Sequence, residues 1–301
     1  MSHPLPTYWQ LRTRRLELPH PGGPLRRPLV MGIVNVTPDS FSDGGLHADI
    51  DAAVAHGLGL AAEGADILDV GGESTRPYAE PVPEAEELRR VAEVVGRLAA
   101  ESGLPVSIDT SKATVAARAV ELGAEIINDV TGLEGDPAMI DVARGTRAGL
   151  CLMHMQGRPQ SMQDDPRYDD VVGEIHAYLA ARRDAVLAAG IPLERICLDP
   201  GIGFGKTHDH NRILMAAAGR FLDLGTPILI GHSRKGFIAA SLERTLGRPI
   251  GVADRDAGTA GGACGLAAAG VQIIRVHAAG MVRAAVESFT ETRPYSAGEA
   301  K

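Results

Sequence analysis

The sequence predicts one (β/α)8 barrel of the TIM type, an α/β fold, and three observations predict it. Eight short apolar runs alternate with helical stretches from residue 29 onward. Each run is apolar at consecutive positions, as a parallel strand covered on both faces must be. Run after run ends on a polar residue, and a parallel barrel gathers all such ends at one mouth.

Residues 1–28 stand outside this repeat. YWQLRTRRLEL followed by PGGP reads as an N-terminal hairpin closing the bottom of the barrel. The barrel itself spans 29–292, and 293–301 read as a flexible tail. The runs are LVMGIVNVTP (29–38), DILDVGG (66–72), PVSIDT (105–110), EIINDV (125–130), GLCLMH (149–154), ICLDPG (196–201), PILIGHS (227–233) and QIIRVH (272–277). A glycine shortly before several of them, as in EGADILD and LGAEIIND, stops the preceding helix. Between them, residues 83–101 open on proline, carry acidic first turns and space their apolar residues near the helical period. Residues 112–122, 170–189, 208–220 and 254–269 read the same way. An open doubly wound sheet shares this connectivity. The count of units and the absence of a dividing linker favour closure.

Composition narrows the function. With 4% aromatic residues, Val, Ile, Leu and Ala must fill the core. A net charge of −8 argues against nucleic acid as a partner, while leaving room for a local basic pocket. Cys151 and Cys197 sit in apolar runs and Cys264 in a small-residue helix, so all three read as unpaired packing residues. The N-terminus lacks an apolar signal core and nothing reaches the length of a membrane span, so the expectation is a cytoplasmic protein with no membrane partner.

The polar strand ends carry the chemistry. They are Asn35, Asp69 with Glu73–Ser74–Thr75, Asp109, Asn128–Asp129, His154, Asp199, Ser233 and Arg275 with His277. Singly, each could be a loop residue or a helix cap. Together, inside apolar runs, carboxylates and amides need something that hydrogen-bonds them. Three loops add to this. NVTPDSFSDGG (35–45) is either a plain turn or a lid that places Phe41, Asp39 and Asp43 over a ligand. GGESTRP (71–77) offers backbone N–H groups, two hydroxyls and Arg76, which faces either an anion or solvent. GHSRKG (231–236) opens a helix with Lys235, a poor choice at a positive helix end unless a negative group faces it. DPGIGFGKT (199–207) fails the phosphate-loop rule because Pro200 takes the first glycine position. Its glycines read as letting Phe204 and the backbone approach a flat ligand. His208 and His210 lack a third ligand nearby and read as an exposed helix start.

In order, MGIVNVTPDSFSDGG, GADILDVGGESTRP, VSIDTSK, IINDVTG, LMHMQG, LDPGIGFGK, SRKGF and RVH resemble the dihydropteroate synthase family, over about residues 29–290. The resemblance implies a (β/α)8 barrel and a homodimer. It implies condensation of 6-hydroxymethyl-7,8-dihydropterin pyrophosphate with 4-aminobenzoate, assisted by Mg2+, in a family targeted by sulfonamides. By the same resemblance Asp109, Asn128 and Asp199 would read the pterin edge and Lys235 would touch its ring. Arg275 would stack on that ring or reach the pyrophosphate. Met153, Phe204 and Gly231 would line the pterin pocket. Asn35, Ser74, Arg275 and His277 match positions that hold pyrophosphate and its metal, with Asn35 the metal ligand. Thr75, Arg76, Pro77, Ser233, Phe41 and Asp43 would form the 4-aminobenzoate side. Two positions depart from the family pattern: Gly236 where serine usually follows SRK, and Ala278 where aspartate usually follows RVH. A methyltetrahydrofolate-type pterin-binding methyltransferase and a non-catalytic pterin-binding paralogue are the competing readings.

Overall fold

The computed structural model describes residues 5–20, 27–37, 46–74 and 78–292. The chain opens with an antiparallel hairpin, β1 (Tyr8–Gln10) and β2 (Arg15–Glu17), as its turn-rich N-terminus predicts. Eight parallel strands follow: β3 (Leu29–Asn35), β4 (Ile67–Gly71), β5 (Val106–Asp109), β6 (Ile126–Asp129), β7 (Gly149–Met153), β8 (Ile196–Asp199), β9 (Leu229–Ile230) and β10 (Ile273–Val276). From β3 to β8 each strand pairs with the next, and β10 lies between β9 and β3. A single bridge, Leu198 to Ile228, joins β8 to the strand-9 segment and closes the ring. The open-sheet alternative is thereby excluded.

Helices cover the outside. After the loop that follows β3 comes α1 (Leu46–Ala62), and α2 (Glu84–Glu101), α3 (Ala113–Glu121), α4 (Met139–Thr146) and α5 (Val171–Ala188) follow β4 to β7 in turn. The stretch expected as one helix over 208–220 is instead α6 (His208–Ala216) followed by a 3-10 segment, Ala218–Leu224. Two helices separate β9 from β10, α7 (Gly236–Leu246) and α8 (Val252–Ala268), and α9 (Ala279–Thr292) closes the chain. The valines of α2, Val91, Val94 and Val95, are fully buried against the strands, as its helical spacing requires.

The interior is apolar below and polar above. Because strand residues alternate faces, every second residue points into the barrel. At the bottom the inward set is Met31, Ile67, Ile126, Cys151, Cys197, Leu229 and Ile273, which pack together with Trp9, Leu11 and Leu18 of the hairpin segment. Trp9 is fully buried, and its indole N–H donates to the Arg195 carbonyl at 3.0 Å, so the hairpin plugs the barrel base. Cys151 and Cys197 are register partners on β7 and β8, buried and unpaired, as packing cysteines should be. The neighbouring thiol and burial push the Cys151 thiol well above its ordinary value, which keeps it protonated. Two residues higher on the same inward rows stand Asp69, Asn128, Met153, Asp199, Gly231 and Arg275, and this switch positions the site. No helix among the described residues is long and apolar enough to cross a membrane.

Candidate active site

The upper half of the barrel opens into a cavity of about 1120 Å³. Every expected site residue that lies among the described ones lines it: Asn35, Ser74, Asp109, Asn128, Met153, Asp199, Phe204, Gly231, Ser233, Lys235, Arg275 and His277. Phe41, Asp43, Thr75, Arg76 and Pro77 lie outside the described residues.

Register explains the convergence. Asp109 on β5 is the Cα partner of Asn128 on β6, and Met153 on β7 is the partner of Asp199 on β8. Neighbouring strands in register thus present a carboxylate beside an amide and, two residues further along the register because Asn128 pairs with Cys151, a thioether beside a carboxylate.

The floor of the cavity is a charged fork. Arg275 donates from Nε to Asp69 Oδ2 at 2.5 Å and from Nη2 to Asp109 Oδ2 at 2.7 Å. Asn128 Nδ2 donates to the same Asp69 oxygen at 3.2 Å. Asp69 is fully buried, and its other oxygen has no partner among the described residues. Burial alone would lower the Arg275 guanidinium, but Asp69 and Asp109 outweigh it and raise it, so it stays charged. Burial likewise raises the Asp109 carboxyl, against the pull of Arg275. The short two-armed geometry makes the cluster an ion pair. Sequence reading placed Asp69 at a strand end without giving it a role. Its signal was a carboxylate within the apolar ILDVG; its partner, 206 residues away, left none.

Asp199 and Lys235 form the far wall. Asp199 Oδ1 accepts the Gly201 N–H at 2.7 Å. Burial raises the Asp199 carboxyl, opposed by that N–H and by Lys235 and Lys206. The Lys235 ammonium donates to the Ile202 carbonyl and sits 4.3 Å from the centre of the Phe204 ring. It keeps some surface toward the cavity, yet protein surrounds it. That loss of water pushes it down to about 7, with Asp199 pulling the other way. Lys235 is also the N-cap residue of α7 and makes no side-chain cap, so the first turn of α7 opens onto the cavity beside it. This is the geometry its position in GHSRKG suggested.

The glycine-rich turn behaves as its sequence implied. Gly201 (φ 69°) lies so close to β7 that a Cβ would fall 1.9 Å from the His154 carbonyl oxygen. Gly203 (φ 84°) leaves room for Lys235, whose Cδ would lie 2.6 Å from a Cβ there. Both the backbone angle and the close approach therefore demand glycine. His208 and His210 open α6, with Thr207 and His210 capping it, and no group of three or more metal-ligating side chains occurs among the described residues.

Ser233, expected on the aryl-amine side, lines the cavity beside His277, whose Nδ1 is 2.9 Å from its hydroxyl. The hydroxyl therefore steadies the imidazole. Of the two departures, Gly236 has a local counterpart: a side chain there would meet His208 Nε2 at 3.2 Å. Nothing in the structure explains Ala278. Residues that sequence reading left without a role hold the second loop. Lys112 bridges Glu73 and the fully buried Glu87. Arg90 donates to the Gly72 carbonyl at 2.9 Å.

A family model for pterin binding enzymes matches residues 31–277 of the chain. The chain is 46% identical over 256 residues to a dihydropteroate synthase of Neisseria meningitidis serogroup C, covering 84% of this chain and 88% of that one. Its fold superposes with a TM-score of 0.85 on Xanthomonas albilineans dihydropteroate synthase with 4-aminobenzoic acid, at 44% identity, covering 98% of this chain and all (100%) of that one. It superposes at 0.84 on Yersinia pestis dihydropteroate synthase in a sulfonamide drug complex, at 40% identity, covering 95% and 99% of the two chains.

Proposed function

The chain belongs to the pterin-binding enzyme family, and on that premise we propose how its cavity works. It is a transferase of the folate pathway. It condenses 6-hydroxymethyl-7,8-dihydropterin pyrophosphate with 4-aminobenzoate to give 7,8-dihydropteroate and pyrophosphate. The observation that carries this reading is the convergence of Asn35, Asp109, Asn128, Asp199, Lys235, Arg275 and His277 on one cavity, deep enough to enclose a flat bicyclic ring.

The chemistry needs two electrostatic jobs done. Negative charge grows on the departing pyrophosphate, and Arg275, His277 and the N-terminus of α7 face it. Positive charge grows on the pterin methylene as its C–O bond breaks, and the carboxylates of Asp109 and Asp199 stabilise it. Asp199 and Asn128 hydrogen-bond the pterin edge, while Met153 and Phe204 cover its faces. The aniline nitrogen is already nucleophilic, so it attacks the methylene without a strong base, and its proton leaves to solvent. Walls that exclude water stop hydrolysis from competing.

Mg2+ fits as an ion carried on the pyrophosphate rather than one held by a protein cage. It normally takes one or two protein oxygens plus phosphates, and Asn35 offers one amide oxygen to the same cavity that His277 lines. When bound there, Mg2+ would neutralise charge on the leaving group.

We place the enzyme in the cytoplasm, a reading supported by two adjacent unpaired thiols, Cys151 and Cys197. We also propose a homodimer through α8 and α9. Gly261 and Gly265 lie on the exposed face of α8 with open space where a side chain would stand, and Met281 on α9 is 47% exposed. Glycine inside a helix costs about 1 kcal/mol against alanine, a cost offset when a second helix packs closely on it. Gly261→Arg is expected to give a monomer in size-exclusion chromatography with light scattering, with the fold kept by circular dichroism. A dimer of unchanged mass would remove this interface.

The activity is tested on purified protein. Pyrophosphate should appear only when the pterin pyrophosphate and 4-aminobenzoate are both present, and a sulfonamide should compete with the amine. Methyl transfer in place of pyrophosphate release, or pterin binding with no turnover, would replace this reading.

A further inference from the structure

Lys206 is 2% exposed, and the mechanism above gives it no part. It stands in the turn that failed the phosphate-loop rule, between β8 and α6. Its ammonium donates to the Phe204 carbonyl at 2.9 Å and to the His154 carbonyl at 3.5 Å, and lies 3.0 Å from His154 Nδ1. Three acceptors thus meet the three donors of an ammonium, and none is a carboxylate. A lysine is rarely buried this way without paired charge.

What it ties together is specific. His154 follows Met153 at the end of β7, and its backbone N–H donates to the Asp199 carbonyl at 3.0 Å. Its ring packs edge-on against Tyr178 at 4.8 Å and tilted against Tyr168, whose hydroxyl donates to the Gly205 carbonyl at 2.9 Å. One nitrogen therefore links the end of β7, bearing Met153, to the turn that bears Phe204 and begins at Asp199. Those three residues are the ones assigned above to the pterin edge and faces.

We propose that Lys206 is a positioning residue for the pterin half of the reaction. Its Nζ, bonded at once to the end of β7 and to the glycine turn, fixes the spacing between Met153 and Phe204 to that of a flat ring. The inference rests on the pterin reading of the cavity. The charged and titratable groups around it are Asp199 from β8, His154 just past β7, Lys235 at the start of α7, and, against the His154 ring, Tyr168 from the segment before α5 and Tyr178 from α5. Of these only Asp199 carries the opposite charge.

The test compares Lys206→Met with the wild-type enzyme. The expected result is a rise of about tenfold in KM for the pterin pyrophosphate, the scale of one lost charge-assisted contact. KM for 4-aminobenzoate stays within about twofold. Equal rises in both Michaelis constants would mean a merely structural lysine and overturn the proposal. So would unchanged kinetics. If the methionine variant does not fold, His154→Gln, which offers an oxygen to the same ammonium, should hold the pterin KM within about twofold. His154→Leu should raise it several-fold, and equal values for the pair would again overturn the proposal. Wild-type pyrophosphate release dependent on 4-aminobenzoate is measured first. Its absence would sink the reading of the reaction, whereas its presence with unmoved variants sinks only the role of Lys206.

Discussion

Arg275→Met will lower the melting temperature by about 10 °C and abolish condensation. The guanidinium is the only side chain among the described residues that hydrogen-bonds both Asp69 and Asp109. Asp69 is fully buried and Asp109 nearly so. Removing the arginine leaves two carboxylates facing each other away from water. Breaking a buried pair in this way costs about 3–5 kcal/mol, and for a chain of this size each kcal/mol moves the midpoint by about 2–4 °C. The loss of activity has a separate cause, since the charge facing the departing pyrophosphate is gone. The two effects come apart in a second variant. Arg275→Met combined with Asp69→Asn removes one of the stranded charges, so thermal unfolding should recover about half the loss while condensation stays absent. Arg275→Lys should keep much of the stability and little of the rate, because an ammonium cannot span both carboxylates as the planar fork does. A midpoint unchanged in Arg275→Met, read by scanning calorimetry, would show that the fork is not what holds these carboxylates.

The sequence told more about the strands than about their partners. All eight apolar runs became strands, because a strand buried on both faces must be apolar throughout. The apolar runs extend past the strands they form, as in PILIGHS, where only Leu229–Ile230 form the ladder, since polar loop residues adjoin without any break in pattern. The helix α4 went unread: it is only eight residues long and buries just Met139 and Ala143. The site was legible as a set of residues, because polar side chains inside apolar runs stand out. Its wiring was not. Nothing in ILDVG says that Asp69 reaches Arg275, and nothing in DPGIGFGKT says that Lys206 turns inward to the end of β7. Pairings of that kind depend on strand order and register, which no local pattern encodes.

Lys235→Ala is expected to cut kcat by about 10²–10³, the usual loss when one preorganised donor is removed from a developing charge, and to change the pH profile in a way that identifies the group. In the free enzyme, burial pushes the Lys235 ammonium down to about 7. It is then charged below that pH and neutral above it. If its charge receives the pterin pyrophosphate, kcat/KM for that substrate falls as pH rises through about 7, because the apparent value reports the free enzyme. The alanine variant should lack this alkaline limb, keeping a low and level rate where the wild type declines. Lys235→Arg should move the limb beyond the measurable range, since a guanidinium stays charged throughout. Its longer head would crowd Gly203, whose missing side chain makes room for the Lys235 stem, so the arginine variant should show a shifted profile at reduced rate. Stability argues in the same direction. The unfolded lysine binds a proton up to about 10.4, while the folded one releases it near 7. Over that interval the unfolded chain holds more protons, so this group's contribution to stability rises with pH in the wild type and vanishes in Lys235→Ala. An alkaline limb that survives in the alanine variant would assign the titration to another group and take Lys235 out of contact with the pyrophosphate-bearing substrate.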